Sequence, residues 1–248
     1  MNSEETPERI QKVLARAGVG SRRQIEAWIK EGRIKINGKQ AMLGDHISTK
    51  DKVKVNNRII DLDSSTADTV KVLAYYKPIG EICARSDPKH KKTVFDKLPK
   101  LNKGRWINIG RLDINTIGLL LFTNDGELAN GLMHPSNQVE REYAVRVLGT
   151  ATKEQLASLV KGVKLEDGEA RFTDVVDSGG EGVNHWYHVV ITEGRNREVR
   201  RLWESQGLKV SRLMRVRFGS YILPRSKRPG NFWDLKESEI KALSQDVQ

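Results

Sequence analysis

Residues 104–126, GRWINIGRLDINTIGLLLFTNDG, set two apolar runs, WINI at 106–109 and LLLF at 119–122, on either side of a polar loop. Runs of this length suit buried strands, and Gly110, Asn115, Thr116 and Gly118 break any helical or strand period between them. The chain is thereby committed to sheet, with a loop held at both ends by packed strands, a good mount for a functional side chain. That loop carries Arg111 and Asp113. On spacing alone, Asp113 reads first as a turn aspartate bonded to its own backbone.

The first 60 residues read as a separate small module. In RIQKVLARAG, Ile10, Val13, Leu14 and Ala17 recur at i, i+3, i+4 and i+7, the stripe of an amphipathic helix that Gly18 stops. SRRQIEAWIKEG opens with Ser21 and Gln24 in capping-box spacing and puts Ile25, Trp28 and Ile29 on one face before Gly32. Ile34 and Ile36 alternate ahead of Asn37-Gly38, a hairpin signal, and KVKVNN supplies a further strand. Arg22, Arg23, Lys30, Arg33 and Lys35 gather around the second helix and the hairpin. Residues 61–69, DLDSSTADT, lack apolar period and read as a linker.

From residue 70 to 248 short strands alternate with a few helices. KVLAYYKPIG is a strand that breaks at Pro78, GELANGLMHP a short helix ended by Pro135, and VEREYAVRVLG a strand with Tyr143, Val145 and Val147 on one face. TKEQLASLVKGV starts with the capping-box pair Thr152 and Gln155; HWYHVVIT and VSRLMRVRFG read as strands. NREVRRLWESQG reads as a helix with Val199, Leu202 and Trp203 on one face and a stop at Gly207. This alternation predicts an α+β domain with a mixed or antiparallel sheet. The tail after Leu223 carries no pattern that places it.

Charge narrows the partners. The 248 residues carry 43 Lys plus Arg against 32 Asp plus Glu, a formal net charge of +11, which points to a polyanion such as nucleic acid. The excess is concentrated: residues 1–62 hold 13 basic and 8 acidic side chains, residues 195–228 hold 11 and 2, so two basic surfaces are expected. No apolar run approaches the roughly 20 residues of a membrane span, and the N-terminus has no apolar signal core, so a cytoplasmic protein is expected. A single cysteine, Cys83, excludes an internal disulfide and any multi-cysteine zinc site. His185 and His188, three apart on a strand, fall on opposite faces and make a poor metal pair.

Phosphate loops of the G-x-x-x-x-G-K-[ST] type, G-x-G-x-x-G after a strand, and the G-x-S-x-G elbow are all absent from the sequence. What remains is Asp113 beside Arg111, and a turn, Glu193-Gly194-Arg195-Asn196, ahead of an arginine-rich helix whose N-terminus could cradle a phosphate. Arg200 or Arg111 could pair with the Asp113 carboxylate, since arginine binds carboxylates bidentately.

Two resemblances join these pieces. QKVLARAGVGSRRQIEAWIKEGRIKING resembles the S4 RNA-binding domain. KPIG after a strand, GRLDINTIGLLLFTNDGELANGLMHP, EREYAVRV and ITEGRNREVRRLWE, in that order, resemble the four motifs of the pseudouridine synthases that modify small- and large-subunit ribosomal RNA. The resemblance runs from the S4-like module to Phe218. It implies an S4-like domain over 1–60, a linker over 61–69 and a synthase domain over 70–248 with a mixed, mainly antiparallel sheet. It also implies isomerisation of a flipped-out uridine to pseudouridine, in large-subunit RNA or alternatively small-subunit RNA. A non-catalytic S4-type ribosome-assembly protein is the competing reading, in which Asp113 stays a turn residue.

Carried over by motif position, Asp113 is the catalytic aspartate and Tyr143 lies against the target base. Arg200 pairs with Asp113, Val199 and Leu202 form apolar walls or core, and Arg111 orients the loop or contacts RNA. Arg195, Asn196, Arg197 and Arg201 join Arg22, Arg23, Lys30, Arg33 and Lys35 as RNA contacts. The reaction is redox-neutral and transfers no phosphoryl group, so no cofactor or metal is expected. The implied partner is ribosomal RNA or a pre-ribosomal large subunit, bound by a monomer without a membrane.

Overall fold

The computed structural model describes residues 6–62, 69–86, 92–102 and 104–247; most of the expected linker, residues 63–68, lies outside them. The chain divides into two compact units. The first is Met1–Val70 together with Pro99–Trp106 and Asn124–Gly126, so two short stretches of later sequence belong with the N-terminal module. The second holds the rest.

The first unit contains β1 (Glu8–Arg9), α1 (Ile10–Arg16), α2 (Arg22–Lys30), β2 (Ile34–Ile36), β3 (Lys39–Gln40), β4 (His46–Ile47), β5 (Val53–Val55) and β6 (Arg58–Ile60). Ser21 caps α2 by accepting the Gln24 N–H at 3.1 Å, as the capping-box spacing requires. Asn37 and Gly38 both take positive φ, 50° and 87°, the geometry that turns β2 tightly into β3. Strands run in the order β3-β2-β5-β6, and β1 pairs with β4. The apolar stripes of both helices meet this sheet: Ile10, Val13, Leu14, Ile25, Ile29, Ile34 and Val53 are buried in one cluster.

In the remaining chain lie β7 (Val72–Lys77), β8 (Ile107–Ile109), β9 (Ile117–Thr123), α3 (Gly126–Met133), β10 (Arg141–Leu148), α4 (Lys153–Lys161), β11 (Val163–Leu165) and β12 (Gly168–Ala170). They are followed by β13 (Asp174–Glu181), β14 (Asn184–Ile191), α5 (Glu198–Ser205), β15 (Lys209–Phe218), β16 (Tyr221–Ile222), β17 (Phe232–Asp234) and α6 (Glu237–Gln245). The main sheet runs β13-β14-β10-β15-β9-β7-β17, with β8 on β9 and β16 on β15. It is antiparallel except where β15 meets β9 in parallel, Met214 opposite Ile117 and Arg215 opposite Gly118. A mixed, mainly antiparallel sheet is what the strand pattern predicts.

Gly118 permits that parallel join. It sits at φ +109°, and a Cβ there would lie 2.7 Å from the Arg215 nitrogen and nearer still to the Arg215 oxygen. Only glycine lets the two backbones approach this closely. The tail that sequence could not place completes the unit: β17 adds an edge strand to β7, and Leu235 and Leu243 join a core with Val72, Leu119, Leu121 and Phe218.

Candidate active site

Both apolar runs of the opening stretch are strands, β8 and β9, and the loop between them is fixed from several sides. The Thr116 N–H donates to the Asp113 carbonyl at 3.0 Å, so residues 113–116 form a turn. Lys77, at the end of β7 and fully buried, donates from Nζ to the carbonyls of Pro78 at 2.9 Å, Asp113 at 3.1 Å and Thr116 at 3.0 Å. An ammonium has three donors and no acceptor, so all three are spent on this turn. Burial pushes the Lys77 pKa down, while Cys83, Glu81 and Asp113 oppose that shift. The Gly80 N–H donates to the Ile114 carbonyl at 2.9 Å, and the Leu112 N–H points at Cys83 Sγ, 3.3 Å away. KPIG thus acts as the bracket of the loop.

Arg200 reaches the loop from α5. Its guanidinium donates to the carbonyls of Asn115 at 3.1 Å and Val210 at 3.2 Å. This corrects the expected Arg200–Asp113 pair: no ion pair joins them, and the two terminal nitrogens of the guanidinium serve backbone carbonyls while Nε has no hydrogen-bond partner. Arg200 is 8% exposed; desolvation and the neighbouring Arg197 lower its pKa, and the Asp113 charge opposes them. The Asp113 carboxylate is half-exposed and makes no hydrogen bond or ion pair among the described residues. Its backbone belongs to the turn and its side chain is free. The reading of a carboxylate bonded to its own turn therefore does not hold.

Tyr143 is 8% exposed on β10, opposite Val189 on β14 and Arg215 on β15. Arg215 joins it to β9. That residue is 2% exposed, donates from Nε to the Leu119 carbonyl at 2.7 Å, and has an Nη2 without a hydrogen-bond partner. Its Nη1 lies 3.8 Å from where a Cβ on Gly110 would be, so Gly110 and Gly118, at the two ends of the loop, both make room for Arg215. Val199 and Leu202 are buried at 4% and 0%, as walls or core. Arg111 is exposed beside Asp113.

The second basic stretch is not the continuous surface that its charge suggests. Arg200 and Arg215 are internal. Arg201 grips Asp167 with two hydrogen bonds, 2.7 and 2.8 Å, and Arg195 pairs with Glu193 at 2.6 Å and reaches the same Asp167. Arg217 pairs with Glu140 and Glu142. Glu193 is a sequence neighbour, but Asp167, Glu140 and Glu142 fold back onto these arginines from positions distant in sequence, which no local pattern reveals. The start of α5 is likewise occupied: Glu198, 3% exposed, accepts the Arg195 N–H at 3.0 Å, and burial raises its pKa. Arg197 and Asn196 remain exposed. In the first unit Arg22, Arg23, Lys30, Arg33 and Lys35 are all exposed, with the Arg33 guanidinium 4.9 Å from the Trp28 ring centre.

Lys77 and Arg215 are the functional-loop residues that sequence reasoning missed. Lys77 stands inside the quoted KPIG, but its three acceptors come from residues up to 39 positions away. The histidines serve carboxylates, His185 with Asp177 and His188 with Glu142, each at 2.6 Å. Among the described residues no cluster of His, Cys, Asp and Glu could hold a metal ion.

A bracketed loop that presents one unengaged carboxylate suits chemistry on a bound molecule. Residues 71–205 match the family described as RNA pseudouridylate synthase, and residues 8–53 match the S4 domain. The chain belongs to the RNA pseudouridylate synthase family. It is 56% identical over 241 residues to the ribosomal large subunit pseudouridine synthase B of Pseudomonas aeruginosa, covering 97% of this chain and 62% of that one. Proteins of the same name from Vibrio cholerae and Escherichia coli are 55% and 54% identical, again over 97% of this chain and over 75% and 84% of theirs. A crystal structure of a pseudouridylate synthase has the same fold, with a TM-score of 0.66 at 24% identity over 95% of this chain and 99% of that one.

Proposed function

We propose that this protein isomerises a specific uridine of large-subunit ribosomal RNA to pseudouridine, with Asp113 as the catalytic residue. In that reaction the bond from sugar C1′ to N1 of the base breaks and a bond from C1′ to C5 forms. N1 gains a proton as C5 loses one, so no electrons enter or leave. The observation that carries the proposal is the free Asp113 carboxylate on a loop whose backbone is bracketed by Lys77 and Arg200. A carboxylate is acceptor-only and can serve as nucleophile or base. The names of the relatives support the choice of large-subunit RNA.

The target base must leave its stack to reach Asp113, at a cost of a few kcal/mol that phosphate contacts offset. Tyr143 then flanks the base, and the exposed Arg22, Arg23, Lys30, Arg33 and Lys35 of the S4 unit hold the RNA backbone. The S4 unit over 1–60 and the synthase unit over 70–248 divide binding and chemistry between them. Such an enzyme works in the cytoplasm, where ribosomes are assembled; no described helix is long and apolar enough to cross a membrane. Asp113→Asn keeps the shape and the turn while removing the carboxylate. Nucleoside analysis of treated ribosomal RNA is expected to show no pseudouridine from this variant, with RNA affinity within about twofold of the parent. Unchanged product formation would refute the assignment.

A further inference from the structure

Tyr143 occupies one face of the main sheet, and the opposite face of the same strands holds a second constellation. Side chains alternate along a strand, and β10 pairs with β14 without a bulge from Arg141 to Leu148, so Tyr143 and Arg146 point to opposite sides. Across three strands the residues in register with Arg146 are Trp186 on β14 and Arg212 on β15. The Arg146 guanidinium lies over the Trp186 ring, 5.8 Å from its centre, and its Nε donates to Ser211 Oγ at 3.0 Å. One row further along, past a register shift that leaves Ser211 of β15 as the extra residue, Leu148 stands opposite Asn184 and Lys209.

This face is open. Arg212 and Lys209 are exposed, Arg146 and Trp186 half-buried, and Leu148 is 42% exposed. Helices α4 and α5 lie against the other side, where Phe172 and Tyr187 stack with Trp203. Its charge is uncompensated: Arg146, Arg212 and Lys209 form no ion pair among the described residues. The neighbouring rows are neutral by contrast, since Glu142 joins His188 and Arg217. The in-register carboxylate, Glu181, sits at the edge beside Asn184.

We propose that this face, centred on Trp186, Arg146 and Arg212, binds a second segment of the RNA substrate, single-stranded and distant from the uridine held at Asp113. The inference rests on the RNA-modifying function proposed above and extends it to a second contact. Two strand spacings carry the row across about 10 Å, room for stacked bases with cations beside their phosphates. Flat aromatic and guanidinium planes accept any unpaired base, and unpaired cations replace the counterions of its backbone. Because the two faces lie back to back, one RNA reaches both only by passing around the sheet edge. The preferred substrate is therefore a long, structured RNA rather than a minimal stem-loop.

The test compares the full-length protein with Arg212→Glu, with Arg146→Glu plus Arg212→Glu, and with Trp186→Ala. Binding is read by fluorescence anisotropy on a long ribosomal RNA fragment and on a short stem-loop around the modified uridine. The double reversal is expected to weaken the long fragment about 10- to 100-fold and to lower its salt slope by about 2, leaving the short stem-loop unchanged. Trp186→Ala is expected to cost about 5- to 100-fold on the long fragment only. In turnover the loss is expected in KM for the long fragment and not in kcat. Arg212 is exposed and makes no side-chain hydrogen bond among the described residues, so Arg212→Glu decides the matter if another variant fails to fold. Equal losses on both RNAs, or no loss on the long one, overturn the proposal; the latter leaves the face to a protein partner. Absence of pseudouridine from the parent protein would instead refute the proposed function, while the anisotropy comparison would still judge this surface.

Discussion

Replacing Lys77 by Met removes the bracket of the Asp113 loop without changing its volume much. The side chain is fully buried, and its Nζ serves three carbonyls at 2.9, 3.1 and 3.0 Å. The Asp113 carbonyl keeps the Thr116 N–H, whereas the Pro78 and Thr116 carbonyls lose their donor at about 1–3 kcal/mol each, and relief from burying an ammonium returns part of this. The net loss is on the order of 1–3 kcal/mol, or roughly 2–12 °C in Tm for a chain of this size. Catalysis suffers separately, because a displacement of about 1 Å at a catalytic group costs roughly 100-fold. Thermal unfolding of the full chain and single-turnover pseudouridine formation are the two assays. A Met variant within about 0.5 kcal/mol of the parent, with its rate intact, would refute the bracket. A pH signature accompanies it. Burial lowers the Lys77 pKa, so between that value and the ordinary lysine range the unfolded chain binds more protons than the native one. Stability from this group therefore rises with pH in that window, and Lys77→Met abolishes the slope.

Gly118→Ala tests the parallel join: at φ +109° its Cβ would collide with the Arg215 backbone, so a loss above about 3 kcal/mol or insoluble protein is expected. A soluble variant within about 1 kcal/mol of the parent in urea unfolding would show that the strands have room to part. Glu198→Gln tests the buried start of α5, where burial raises the carboxyl pKa. In the window between the ordinary glutamate value and the raised one the native state binds more protons, so stability from Glu198 is full below the window and is lost as pH rises through it. Glutamine keeps the acceptor for the Arg195 N–H, and the urea midpoint of this variant is expected to fall less between pH 4 and pH 8 than that of the parent. Parallel midpoint curves would count against the buried carboxylate.

Local patterns in the sequence determined much of this protein. Ser21 and Gln24, Thr152 and Gln155, and Asn37-Gly38 form the caps and the turn that their spacing announces, because each depends only on residues a few positions apart. The periodicity of Ile10, Val13 and Leu14, and of Val199, Leu202 and Trp203, named core residues directly. The loop with Asp113 was legible for the same reason, as turn chemistry between two apolar runs. Ordered motifs then connected Asp113, Tyr143 and Arg200, although periodicity alone gave no means of doing so.

Tertiary structure decided what depends on long-range partners. Arg200 serves the Asn115 and Val210 carbonyls instead of pairing with Asp113, and that follows from where α5 lands against the loop. The basic stretch from 195 to 228 lost much of its apparent surface because Asp167, Glu140 and Glu142 arrive from other elements to neutralise it. The tail after Leu223, patternless on its own, becomes an edge strand and a core helix only because β7 offers an unpaired edge. Sequence set which segments are strands, helices and turns, through contacts a few residues long. The pairing of strands and the burial of lone cations such as Lys77 and Arg215 came from contacts many tens of residues apart, where the packed fold alone brings donor and acceptor together.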